Sequence, residues 1–239
     1  MPRPLLRPRR RFAALLVVPL AAAILAGCGG SGSSSGNGLE SKSPEAVVTA
    51  AKQAADRAAT VHISGSIIAE GKPISLNMEL VAGKGAKGHI ALGGLGVDVV
   101  EVENAFYLNG SSAFYKHIAG DAAAQLLQGK WLKAPTTTGE FASLAQLTNL
   151  SKLIDSTLAS HGTLKGGGTT SVAGEKAVVV TDTSKGGTLY VAATGTPYPL
   201  EIAKTGAGSG QIRFYDWNRP VSLQAPPNPI NINQLQNGH

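Results

Sequence analysis

Several residue patterns in this sequence could do chemistry, and each can be weighed against the local structure that its chemistry requires. Gly32-Ser33-Ser34-Ser35-Gly36 has the spacing of a serine nucleophile between two glycines. Such a serine works from a sharp turn between a strand and a helix, and the surrounding Gly/Ser run offers neither. Gly83-Lys84-Gly85-Ala86-Lys87-Gly88 has the spacing of a dinucleotide-binding loop, which needs a helix N-terminus to meet the pyrophosphate. His89-Ile90-Ala91-Leu92 behind it reads as a strand, so the glycines are read as a hairpin turn. The histidines, His62, His89, His117, His161 and His239, form no i,i+4 pair and no carboxylate-assisted cluster of the kind that holds zinc. Glu101 and Glu103 share one strand face, but no spacing selects a catalytic carboxylate pair. Trp217, beside Asp216 and Arg219, suits either a partner surface or aromatic packing at the start of a C-terminal loop. No catalytic residue, metal or cofactor is expected, and the chain is read as a non-enzyme.

The remaining reactive group is a thiol. Cys28 is the only cysteine of the 239 residues, which excludes a disulfide framework. Before it stand five arginines in the first eleven residues, then Phe12 to Ala26 without a charge, then small residues. That is the layout of a secretory signal peptide. Fifteen residues rise only about 22 Å as a helix, short of the ~30 Å hydrocarbon core, and Pro19 interrupts them, so a permanent membrane span is not expected. Leu25-Ala26-Gly27-Cys28 resembles the lipobox of bacterial lipoproteins. The resemblance implies that residues 1–27 are removed and that Cys28 becomes a diacylglyceryl- and palmitoyl-modified N-terminus. Two or three acyl chains would hold the protein on the extracytoplasmic face of the cell membrane. Arg9-Arg10-Arg11-Phe12 also resembles a twin-arginine export motif, which leaves both export routes open.

Without the five arginines the formal charge falls from +6 to +1, and charged residues make up only 15% of the chain against a usual ~25%. A nucleic-acid partner needs basic residues clustered on the folded body, so none is expected. Residues 28–43 are Gly/Ser/Asn-rich and read as a flexible linker, spanning roughly 22 Å as a coil. The folded domain is expected over 44–224, with a Pro/Asn-rich tail over 225–239.

The domain must open with a helix, because Ser43-Pro44-Glu45 supplies a cap, a first-turn proline and an acid. Val47, Val48, Ala51, Ala54, Ala55 and Ala58 line one face, to about Thr60. From Val61 the period becomes two, giving strands near 61–67, 74–80, 90–92, 97–103 and 106–108. The phase slips near Val99-Val100, where a bulge is expected, and Asn109-Gly110 reads as a turn signal. Helical spacing returns between about Ser111 and Ser160, with Gly129 to Lys133 as a link and Phe141, Leu144, Leu147, Leu150, Ile154 and Leu158 on a second helical stripe. Six further strands follow at 163–172, 176–181, 188–193, 200–204, 210–215 and 221–223. Strands grouped in this way form one antiparallel sheet. The expected class is α+β, a strongly curved half-open β-barrel of about 10–11 strands with helices on its concave face.

This order resembles the LolA/LppX-like superfamily of bacterial lipoproteins and lipoprotein carriers, of the actinobacterial type. The local matches are Gly187-Thr188-Leu189-Tyr190-Val191, Gly195-Thr196-Pro197-Tyr198-Pro199-Leu200, the run Ile212 to Val221 with its Asp216-Trp217-Asn218-Arg219-Pro220, and Lys130-Trp131-Leu132 after the first inserted helix. They cover roughly Ser43 to Pro227. The resemblance implies an apolar space between sheet and helices that takes the acyl chains of a lipid, glycolipid or lipoprotein. The inward positions expected to line it are Ile63, Ile67, Leu76, Met78, Leu80, Ile90 and Leu92, with Leu144, Leu147 and Ile154 from the helices. The same residues suit an ordinary filled core. Two functions therefore stay open: an envelope lipoprotein that binds and shuttles or presents lipid, and a surface interaction or sensory module of the same fold without cargo.

Overall fold

The first helix forms where capping and periodicity place it. In the computed structural model, α1 spans Pro44–Asp56, and the Ser43 side chain accepts a hydrogen bond from the Ala46 N–H at 3.3 Å. Its buried stripe is Val47, Val48, Ala51, Ala54 and Ala55. The structure describes residues 36–69, 71–135, 149–158, 161–206 and 208–232, all within one compact unit, Ser34–His239.

Strands β1 (Thr60–Ala69), β2 (Lys72–Val81), β3 (Gly85–Leu92), β4 (Leu95–Val102) and β5 (Ala105–Gly110) form a meander. Helix α2 (Ser112–Leu127), strand β6 (Leu132–Pro135) and helix α3 (Leu150–Leu158) follow. A second meander runs through β7 (Leu164–Val172), β8 (Glu175–Asp182), β9 (Gly187–Ala192), β10 (Pro199–Lys204) and β11 (Gly210–Tyr215). The meanders join where β11 pairs antiparallel with β1, Phe214 opposite Ile63. The result is one curved, unclosed sheet in the order β12-β6-β5-β4-β3-β2-β1-β11-β10-β9-β8-β7. Helix α1 and α3 pack against one another, α1 covers β7 to β10, and α2 covers β4 and β5.

Among the described residues, the twelve strands differ from the expected set in three places. The link after α2 contains β6, and the tail contributes β12 (Ile230–Asn231), which pairs parallel with β6. Val221 to Leu223 is loop, because the chain leaves the sheet at Asp216 through two left-handed residues, Asp216 and Asn218. Asn218 then clasps the start of β1: its N–H donates to the Thr60 carbonyl (2.9 Å) and its Oδ1 accepts from the Ala59 N–H (2.7 Å). Trp217 stacks on Tyr198 at 4.5 Å and donates to the Pro199 carbonyl. The aromatic run near the C-terminus is thus a packing device.

Curvature does not come from a bulge in β4, whose register on β3 and β5 is unbroken. Register shifts occur instead between Pro199 and Glu201 in β10 and between Gly166 and Thr169 in β7. Glycine matters where two strands come close. Gly65 in β1 has φ 156°, and a Cβ there would overlap the Gln211 carbonyl oxygen of the neighbouring strand. Only glycine permits so close an approach of two strands. Asn109-Gly110 makes no hairpin turn. Gly110 ends β5, and its bare Cα gives room to the Phe114 ring of α2, whose cap is Ser111.

Residues 36–43 of the expected linker belong to the folded body. Gly36 bridges to Thr194, and the Asn37 backbone N–H donates to the Ala193 carbonyl at 2.9 Å while its Nδ2 donates to that of Ala192 at 2.8 Å. Leu39 enters the core at 7% exposure, and Glu40 pairs with Lys176. A hydrophobic side chain and several hydrogen bonds outweigh the composition that suggested a free coil.

Candidate functional site

Six of the cavity-lining residues expected from the sequence lie in the hydrophobic core. Ile63, Leu76, Met78, Leu80 and Ile90 are buried in one continuous cluster with Val97, Val99, Phe106 and Phe214, and Ile154 from α3 joins it. Leu92 is half-buried against that cluster, and Ile67, on the same strand as Ile63, is half-buried. None of these residues borders the apolar cavity described next. Leu144, Leu147 and Cys28 lie outside the described residues.

The open space lies in the other half of the sheet. Helices α1 and α3 meet β7 to β10 around a cavity of about 210 Å³. Its apolar walls are Val48 of α1, Leu158 of α3, Leu164 of β7, Val180 of β8, Leu189 of β9 and Ile202 of β10. Strand alternation aims these residues inward: Val178, Val180 and Asp182 are buried along β8, as are Leu189 and Val191 along β9. Lys52 of α1 bridges to Asp155 of α3 at 2.6 Å and to Asp56 at 2.8 Å. Those two carboxylates, Asp155 foremost, raise the lysine's pKa above its ordinary value, and the bridge to Asp155 spans the two roof helices at the surface.

At the rim the polar groups are His161, Asp182, Lys185, Thr188 and Lys204. Asp182 faces inward but is committed to the backbone. Its Oδ2 accepts from the Gly162 N–H (2.6 Å), and its Oδ1 accepts from the N–H groups of Ser184 (2.9 Å) and Lys185 (2.8 Å). These bonds, that from Gly162 foremost, hold its carboxyl below the usual carboxylate range. They also fix the β8–β9 turn, so that Lys185 stands at the rim. Lys204 reaches the same rim because β10 pairs with β9 with Lys204 opposite Gly187. The sequence placed these strands correctly, but nothing in their alternation says which half of a sheet is left unfilled.

A second depression, of about 440 Å³, lies against the β2–β3 and β4–β5 turns and the loop at Val221 and Leu223. It is built from turn residues such as Lys84, Glu103 and Asn104 and lies away from the sheet–helix interface. The Gly83–Gly88 segment is the expected hairpin, its turn leading straight into β3. Two histidines make polar pairs between neighbouring strands. His89 Nδ1 lies 2.7 Å from Asp98 Oδ1, and His62 Nε2 lies 2.5 Å from Asn77 Oδ1 while its ring stacks on Tyr215. Among the described residues no three ligating side chains converge on a metal position, and no helix is long and apolar enough to cross a membrane.

No protein-family model matches the chain, and no curated protein does. Solved structures do. The chain is similar to LprF from Mycobacterium bovis, with 14% identity, 77% of this chain and 98% of that one covered, and a TM-score of 0.53. It is also similar to the lipoprotein LppX from Mycobacterium tuberculosis, with 17% identity, 76% and 98% covered, and a TM-score of 0.49. A third likeness is to MucB in its complex with MucA from Pseudomonas aeruginosa, with 17% identity, 77% and 61% covered, and a TM-score of 0.39. At these identities the likeness, carried by the first of the three, is one of fold.

Proposed function

For a chain with the LolA/LppX-like fold, we propose the role of an envelope lipoprotein, anchored through an acylated Cys28, that binds lipid acyl chains non-covalently and carries or presents them. The observation that supports this reading is the apolar cavity between α1, α3 and β7–β10. Desolvation drives such binding, at about 0.8 kcal/mol for each CH₂ removed from water. No bond is made or broken, and the rim groups orient the lipid at the mouth.

The test is native purification of residues 29–239, without signal or lipid anchor, followed by organic extraction and mass spectrometry. The expected result is a stoichiometric co-purifying lipid that is lost in Ile202→Trp, a substitution that fills the cavity from its wall, with the circular dichroism spectrum unchanged. Clean extracts from the unsubstituted protein, with no uptake of fluorescent fatty acid or phospholipid, would replace this reading by that of an interaction module. The filled core under β1 to β4 is the observation that favours the latter.

A further inference from the structure

Beyond the lipid reading and independent of it, we infer a second binding site, for an extended peptide segment of a partner protein. It lies in the depression where the C-terminal loop passes the β2–β3 and β4–β5 turns. Three observations lead there. The first is a strand without a ladder. The loop is fixed at both ends, by the Asn218 N–H on the Thr60 carbonyl and by the Ile230 N–H on the Trp131 carbonyl. Between these ends Val221 and Leu223 are half-buried while Ser222 and Gln224 are exposed, which is the period of an extended strand. Yet no backbone group from Pro220 to Pro229 hydrogen-bonds to another described residue. A row of N–H and C=O groups on a segment held in place is a template for a second strand.

The second observation is the space beside that strand. At about 440 Å³, the depression lies within the ~300–1,000 Å³ of sites that enclose small ligands. Its apolar floor is Val81, Val102, Val221 and Leu223, all half-buried. The third observation is the charge above the floor. Lys84 and Glu103 stand on adjacent strands, one step beyond the paired Gly85 and Val102, and both line the depression. Among the described residues neither side chain, nor that of Asn104, makes a hydrogen bond or ion pair. Glu103 and Asn104, at φ 54° and 59°, form the tight turn that joins the paired Val102 and Ala105, so the carboxylate is carried on a hairpin. Opposite charges at neighbouring positions favour a ligand that brings both signs at a similar spacing. In an extended peptide, the residues before and after a given one point to the same side, about 7 Å apart, and that one points to the other. The segment that fits has an aliphatic residue toward the floor, a base and an acid on either side of it, and a backbone that pairs with Val221 to Ala225.

Nuclear magnetic resonance titration of isotope-labelled residues 29–239 tests the inference with two blocked peptides, acetyl-Ala-Lys-Val-Glu-Ala-amide and acetyl-Ala-Glu-Val-Lys-Ala-amide. At least one is expected to shift the amide signals of residues 221–225, Lys84 and Glu103. It is also expected to bind about tenfold more tightly than acetyl-Ala-Ser-Val-Ser-Ala-amide. The double variant Lys84→Gln, Glu103→Gln is expected to remove that preference and leave the thermal midpoint unchanged. Gln224→Pro and Ala225→Pro each delete one exposed N–H. Successive N–H groups of a strand point to opposite sides, so one of these two variants is expected to weaken binding and the other to leave it intact. An equal effect of the two overturns the strand pairing. Equal affinity for charged and serine peptides, or a preference untouched in the double variant, overturns the charge assignment. No shift at residues 221–225 with any peptide at millimolar concentration overturns the site. None of these outcomes touches lipid extraction, so the lipid reading stands or falls separately.

Discussion

Asp182 does two things with one carboxylate: it ties Gly162, at the start of the strand β7 approach, to the β8–β9 turn, and it sets the position of Lys185. Because its pKa is lowered in the folded chain, the sign of its pH dependence follows. The stabilisation is present in full above the ordinary carboxylate value near 3.9, and it is lost as pH falls through the lower, folded-state value. Asp182→Asn keeps the size but turns an amide donor toward N–H groups that need acceptors. It is therefore expected to lower the urea midpoint at pH 7, by an amount that shrinks as the titration is carried below about pH 4. An equal loss at every pH would show that the charge plays no part. Tyr115 is a contrasting case: its buried hydroxyl accepts from the Gly110 N–H (2.9 Å) and donates to the Lys130 carbonyl (3.3 Å), and burial raises its pKa.

Among the elements, the pair β1–β11 carries the closure of the two meanders, and Gly65 is its narrowest point. The Gln211 carbonyl of β11 occupies the space that a Cβ would need, and the φ of 156° is one that other residues rarely adopt. Gly65→Ala is expected to cost at least about 3 kcal/mol, combining backbone strain with a broken strand pair, as read from denaturant unfolding. A loss below roughly 1 kcal/mol would mean that the two strands separate at little cost. The elements were largely legible in the sequence. α1 followed from Ser43-Pro44-Glu45, β2 from Ile74, Leu76, Met78 and Leu80, and β11 was placed at its observed limits. β6 and β12 were not legible, since runs of four and two residues carry too little period to stand out. The cavity was not legible either. Val180, Leu189 and Ile202 alternate in the same way as Met78 and Ile90, and only the placing of the helices decides which stripe is packed and which is left open.

At the scale of the molecule, one hydrophobic cluster runs under the whole sheet, and the cavity opens in it only where α1 and α3 meet β7 to β10. Anchoring belongs to this scale. In a bacterial host that processes lipoproteins, the full chain is expected in the membrane fraction and labelled by palmitate. Cys28→Ser is expected to abolish the label and release the protein, and persistence of membrane binding in that variant would refute an anchor at this thiol. The docked segment from Gly36 to Leu39 gives such an anchor a definite leash. Eight residue steps separate Cys28 from Gly36, a contour of about 28 Å at most. The leash is made fast beside Thr194, just past the end of β9, whereas the rim lysines stand near its beginning. Seven residue steps separate Gly187 from Thr194, so the mouth lies about 23 Å along the chain from the mooring. That separation is shorter than the leash. Were Cys28 acylated, a tether of that contour would let the body tip until its mouth met the head groups, or stand with the mouth turned away from the bilayer. Collection and delivery would then be two attitudes of one tethered body, with no change in its fold.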